Sequence, residues 1–183
     1  MVDFVASDNP NNKFDYGDRA FDYFPSGKFS IPVDSAKVVA NGTVPKGMEN
    51  QIVKSIDFEI DRNYILKAEL MILDLLATNN WERPIYFAVT VGDDSYIGLQ
   101  DYFQLEGLAY RLIPIKSPSG RGDNFGRINT TLMYDNMMNK FAWGGVDKKE
   151  VYMDENNIRM TMNRRSNFDR LASALLEEGN KDS

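Results

Sequence analysis

Acidic side chains are the main reactive groups of this sequence: it holds 27 Asp and Glu and neither histidine nor cysteine. Without histidine it lacks the usual general base and the commonest zinc ligand, and without cysteine it lacks thiolate nucleophiles and disulfides. Ser-His-Asp, Cys-His and zinc-hydrolase chemistry are excluded, so an autonomous hydrolase is the weakest functional class. Asp93-Asp94-Ser95 follows an apolar run, Ile85–Val91, and ligands gather beyond the carboxyl ends of strands in open α/β sheets. Ordinary turn and capping chemistry is the stronger explanation of that tripeptide. Glu69 falls on the apolar side of a helical pattern, where it is either an acid with a raised pKa or the partner of Arg83 or Arg111; pairing is the default for a buried carboxylate. Trp81, Tyr86, Tyr102, Phe103 and Tyr110 offer flat faces that could stack on a sugar, although core packing accounts for most such rings. Glycosidase chemistry needs two carboxylates across a cleft, which a sequence does not show. Gly120-Arg121-Gly122 lacks the strand and helix that flank a phosphate loop. The reading therefore predicts no catalytic residue, cofactor or metal. It leaves Asp93, Asp94, Trp81 and Tyr102 as ligand-binding candidates.

The elements that must position these residues read as a mixed α+β fold. Residues 1 to about 30, with Phe14, Tyr16, Phe21, Tyr23 and Phe24, read as a coil pinned by rings. Phe29–Asp34 and Ala36–Ala40 read as short extended segments that could pair, with Asn41-Gly42 as a turn. A helix is predicted from Asp61, its candidate N-cap, to Asn79. Ile85–Val91 is apolar almost throughout, as a central strand covered on both faces would be, and Leu108–Ile115 reads as a second strand. Ser117–Asn124 has the composition of a mobile loop. A Thr-capped helix carrying Met133, Met137 and Phe141 comes next and is broken at Gly144-Gly145. Asp154–Glu178 reads as one long helix ended by Gly179. This divides the chain into an α/β part, residues 1–145, and a helical part, residues 146–183.

Phe168, Leu171, Ala172, Leu175 and Gly179 have the spacing of the first helix of a tetratricopeptide repeat. One repeat helix cannot bury its apolar face alone, so this helix either begins a longer array or docks on the α/β part. Phe168, Leu171 and Leu175 are the partner-binding candidates. The net charge of −6 argues against a nucleic-acid partner. No window approaches about 20 apolar residues, and Met1-Val2-Asp3-Phe4 lacks the basic start of a signal peptide, so neither membrane span nor leader is expected here. Short matches to glycan acceptor patterns occur at Asp34-Ser35-Ala36, Asn41-Gly42-Thr43 and Asn129-Thr130-Thr131 and arise easily by chance.

Three stretches carry a resemblance: Trp81–Ala88, Leu105–Leu112 and Ile31–Asp34. They resemble the soluble C-terminal region of large bacterial membrane proteins similar to protein O-mannosyltransferases, a pattern that continues into tetratricopeptide-like repeats. The resemblance implies a multi-span glycosyltransferase-like half elsewhere, with this chain in the extracytoplasmic (periplasmic) tail. The catalytic loop of such enzymes belongs to the membrane half, so no catalytic residue carries over. The expected function is a non-catalytic accessory module that engages a protein partner or the membrane-embedded half of its own chain. The alternative is a carbohydrate or lipid-linked-sugar binding domain.

Overall fold

The computed structural model describes residues 13–17, 19–22, 27–62, 65–117, 125–146 and 148–179. They fall into two compact units, each a mixture of short strands and helices, as the α+β reading expects. The first comprises residues up to 84 with 92–99 and 114–116; the second comprises 85–91, 100–113 and 117 onward.

The first unit opens with a hairpin, β1 (Lys13–Tyr16) against β2 (Arg19–Asp22), where the sequence suggested coil. Tyr23 and Phe24 lie outside the described residues. β3 (Lys28–Pro32) pairs antiparallel with β4 (Ser55–Glu59), with Phe29 opposite Phe58 and Pro32 at the strand end. Ala36–Ala40 is not its partner: α1 (Ser35–Ala40) is a helix. The local reason is Asp34, whose Oδ1 accepts from the Lys37 N–H at 3.1 Å. That N-cap outweighs the strand preference of Val38 and Val39.

α2 (Lys67–Asn79) starts six residues later than Asp61. Its cap position holds Leu66, which has no side-chain acceptor. Glu69, three residues on, supplies the reciprocal half of a capping box by accepting from the Leu66 N–H at 2.8 Å. Glu69 is buried, as its place on the apolar face requires, and it is paired with Arg62 rather than Arg83 or Arg111. Elsewhere in this unit Gly98 has φ +86°, and a Cβ there would strike the Glu59 carbonyl on β4.

The second unit is built on a four-stranded sheet in the order β5 (Tyr86–Ala88), β7 (Ala109–Leu112), β6 (Phe103–Leu105), β8 (Arg127–Ile128). β7 lies inside the sheet, as the Leu108–Ile115 reading expects. β5 is an edge strand rather than a central one: only Phe87 is buried, Tyr86 and Ala88 are exposed, and Thr90 and Val91 have left the sheet. Directly opposed residues share a face. One face is therefore apolar, with Phe87, Tyr110, Leu105, Phe103, Leu112 and Ile128; the other carries Tyr86, Arg111, Gln104 and Arg127. Residues 118–124, most of the expected loop, lie outside the described residues.

α3 (Thr130–Tyr134) is capped by Asn129, not by a threonine: Asn129 Oδ1 accepts from the Leu132 N–H at 3.0 Å. It continues as a π-helix over Asp135–Lys140, buries Met133 and Met137, and ends before Gly144-Gly145. The Lys140–Asp135 ion pair, 2.6 Å, joins side chains five apart, the spacing of a π turn. α4 (Glu155–Glu177) matches its expected span; Asp154 caps it through the Asn157 N–H at 2.8 Å, and Gly179 lies just past its end at φ +83°. α4 packs against α3. Among the described residues no helix is long and apolar enough to cross a membrane.

Candidate ligand cavity and a polar row

In the first unit, a cavity of about 230 Å³ opens between α2 and the β3–β4 pair. Phe29 and Phe58 form one wall as a stacked pair with centroids 5.3 Å apart. α2 contributes Leu70, Leu73, Leu76 and Ala77, with Asp74 among the polar lining groups beside Ser30 and Asn80. Trp81 completes the wall. To place it there, α2 ends in two successive left-handed residues, Asn80 at φ 44° and Trp81 at φ 59°. That conformation is costly for a bulky side chain and persists only where surrounding bonds enforce it. They do so here. The Trp81 indole N–H donates to the Pro32 carbonyl at 3.0 Å, and the Trp81 carbonyl accepts from Asn41 Nδ2 at 2.6 Å. Asn41 is itself fixed by Thr43, whose N–H and hydroxyl donate to its Oδ1 at 3.0 and 2.7 Å. Lys37 pairs with Glu82 beside this junction at 3.3 Å.

The other ligand candidates lie apart from this wall. Asp93 and Asp94 are exposed in a single 3-10 turn, Asp93–Tyr96, and the Asp94 carbonyl accepts from Arg62 Nη2 at 3.4 Å. Neither lines the cavity. Tyr102 belongs to the second unit, where it is 4% exposed and its carbonyl accepts from the Ile113 N–H at 3.0 Å. Phe103 and Tyr110, also weighed as stacking faces, are buried with Phe87 and Phe125 in one aromatic cluster. Among the described residues no three acidic side chains converge as a cation site would require.

The partner-binding candidates on α4 are engaged within the second unit. Leu171 is buried, Phe168 meets the Trp143 ring at 5.4 Å, and Leu175 is half-buried, whereas Leu176 is exposed. Arg170 ties the helix down by donating to the Tyr110 hydroxyl at 2.7 Å and to the Phe125 carbonyl at 2.9 Å. Glu178 accepts from the Thr130 hydroxyl at 2.9 Å. The helix therefore packs within its own unit, against Tyr110, Phe125, Thr130 and Trp143.

The polar sheet face of the same unit has a second arrangement. Tyr86, Arg111, Gln104 and Arg127 stand opposite one another on successive strands and so make one row across the whole sheet. Glu106 accepts from Tyr86 Oη at 2.9 Å and Gln104 Nε2 at 2.7 Å, with Arg111 Nη1 at 3.7 Å. Burial, and then the Glu106 carboxylate, raise the Tyr86 phenol above its ordinary pKa. Burial lowers that of Arg127. Sequence reasoning passed over Gln104, Glu106 and Arg127 as site residues. The available signal was the period-two alternation Phe103-Gln104-Leu105-Glu106, which puts two polar groups on one face of a strand.

The described residues thus form a mixed α+β protein of two compact units, the first of which holds an aromatic-walled cavity. Residues 1–132 match the family model described as TMEM260-associated domain 2, and the chain belongs to that family. It is thus a domain associated with an O-mannosyltransferase-like family of membrane proteins. No curated protein and no solved structure matches the chain.

Proposed function

We propose that this domain is a non-catalytic accessory module on the extracytoplasmic side of the bacterial inner membrane, and that its Trp81 cavity holds a segment of an acceptor protein for an O-mannosyltransferase-like half. Family membership supports the association with such a half. The observation that carries the binding reading is the enforced left-handed pair Asn80-Trp81, a strained geometry of the kind found at ligand clamps, in the wall of the cavity. The lining is mostly aliphatic and aromatic, with few polar groups, as suits an apolar side chain presented by a polypeptide. A saccharide is the second reading. It is favoured by the indole face of Trp81 beside the hydrogen-bonding groups of Asp74, Asn80 and Ser30.

The chain has two tryptophans, so Trp143→Phe leaves Trp81 as the sole indole reporter. Titration of that variant with unglycosylated acceptor-protein segments is expected to change Trp81 emission, and Leu73→Gln, which puts a polar group in the lining, to abolish the change. A response to mannose oligosaccharides alone would replace the acceptor reading by the saccharide one. No response to either, with the cavity shown intact by the Phe29 and Phe58 ring resonances, would remove both.

A further inference from the structure

The polar row in the second unit carries one more cation than anion. Its charges are two guanidinium groups, Arg111 and Arg127, and one carboxylate, Glu106, which is already engaged by Tyr86, Gln104 and Arg111. Six buried side-chain polar atoms among the described residues have no hydrogen-bond partner there, and four of them belong to this row: Gln104 Oε1, Arg111 Nε, and Arg127 Nε and Nη1. Buried polar atoms are rarely left unpaired. Gln104 is 1% exposed and lies between the two arginines, opposite Arg111 on one side and Arg127 on the other. The strands are spaced about 4.8 Å apart, so the two arginine Cα atoms are roughly 10 Å from each other. A single tetrahedral or planar oxyanion over Gln104 comes within reach of both long side chains. Arg127 is half-buried on β8, the last strand in the sheet order.

The unpartnered atoms also specify the ligand. The arginine nitrogens are donors and need acceptors, whereas Gln104 Oε1 is an acceptor and needs a donor. A bare carboxylate answers only the first need. An oxyanion that also carries a hydroxyl answers both, donating that O–H to Gln104 while its charged oxygens accept from the guanidinium groups. We propose that Arg127, Gln104 and Arg111 form a binding site for such a hydroxyl-bearing oxyanion, a hydrogen phosphate group or a 2-hydroxycarboxylate. The site uses none of the residues of the Trp81 cavity and stands or falls independently of it.

The test is thermal unfolding and calorimetric titration of the full chain with inorganic phosphate, glycolate, acetate and sulfate, in chloride of matched ionic strength. Phosphate or glycolate near neutral pH is expected to bind and to raise the melting temperature by about 3–6 °C at roughly tenfold excess over its Kd. Which of the two binds more tightly identifies the source. Acetate and sulfate, which lack the hydroxyl proton at that pH, should bind at least tenfold more weakly. Arg127→Gln should lose the response and Arg127→Lys should retain part of it. Gln104→Glu, which removes the amide and places a second carboxylate beside Glu106, should abolish the response to added anions. Equal small effects from all four anions, or binding that survives both Arg127→Gln and Gln104→Glu, would overturn the proposal.

Discussion

Glu69 shows how one buried acid can serve two structural ends. Its carboxylate pairs with Arg62 and accepts from the Leu66 N–H, so it both neutralises a guanidinium and closes the first turn of α2. Glu69→Ala should therefore destabilise by about 2 kcal/mol, because a donor and a charge lose their partner together. Glu69→Gln keeps an acceptor for Leu66 and should cost roughly half as much; urea unfolding of both variants checks the order. Tyr86 offers a test by pH. Its folded pKa is raised, by burial first and then by Glu106, so the folded protein holds the phenol proton more tightly than the unfolded chain. The resulting stability is present in full below about pH 10, the ordinary tyrosine range, and is lost as pH rises through the folded value. Tyr86→Phe should make the alkaline side of the stability profile shallower, as measured by urea midpoints between about pH 9 and 11. At this scale the sequence revealed that Glu69 faces the core, because helical spacing is local. Its partner could not be read, since Arg62 lies outside the helix and no periodicity links the two.

Capping and neighbours decided which elements were legible. α4 was readable because three local signals agree: Asp154 at the start, an apolar stripe through Phe168 and Leu171, and Gly179 past the end. α1 was misread because its valines favour a strand and only the Asp34 side chain tips the balance. Asp34→Ala should cost about 1 kcal/mol and fray that helix, raising amide exchange at Lys37 and Val38 while leaving the β3–β4 pair protected. Equal loss of protection in β3–β4 would show that α1 and the strands melt as one unit. β5 was misplaced for a different reason. Its apolar residues describe composition, but edge or centre depends on what pairs alongside, and among the described residues β5 pairs with β7 alone. The π turn after α3 was invisible in sequence. Its wider spacing serves a tertiary need, letting Asn136 donate to the Glu106 carbonyl at 2.8 Å while Met137 stays buried.

At the scale of the whole chain, the family match ends at residue 132, yet the second unit depends on residues beyond that point. α4 lies wholly outside the match, buries Leu171 and Asn167, and holds Arg170 against Tyr110 and Phe125. Those rings share a cluster with Phe87 and Phe103, so α4 closes the core on the apolar face of the sheet. A chain ended before Asp154 should therefore not keep a native second unit. Losing the burial of Leu171 and Phe168 alone forfeits roughly 3–5 kcal/mol, a large part of the stability a domain of this size commands. The expected result is strong binding of a hydrophobic dye and fast amide exchange across Phe103–Leu112, with Ile56 and Phe58 in the first unit still protected. Arg170→Ala should be milder, opening the Tyr110 contact without unfolding the sheet. If the shortened chain instead keeps slow exchange at Phe103 and Leu112, α4 is an appended helix free to join further repeats. Its docked position here would then be one of two that the sequence supports.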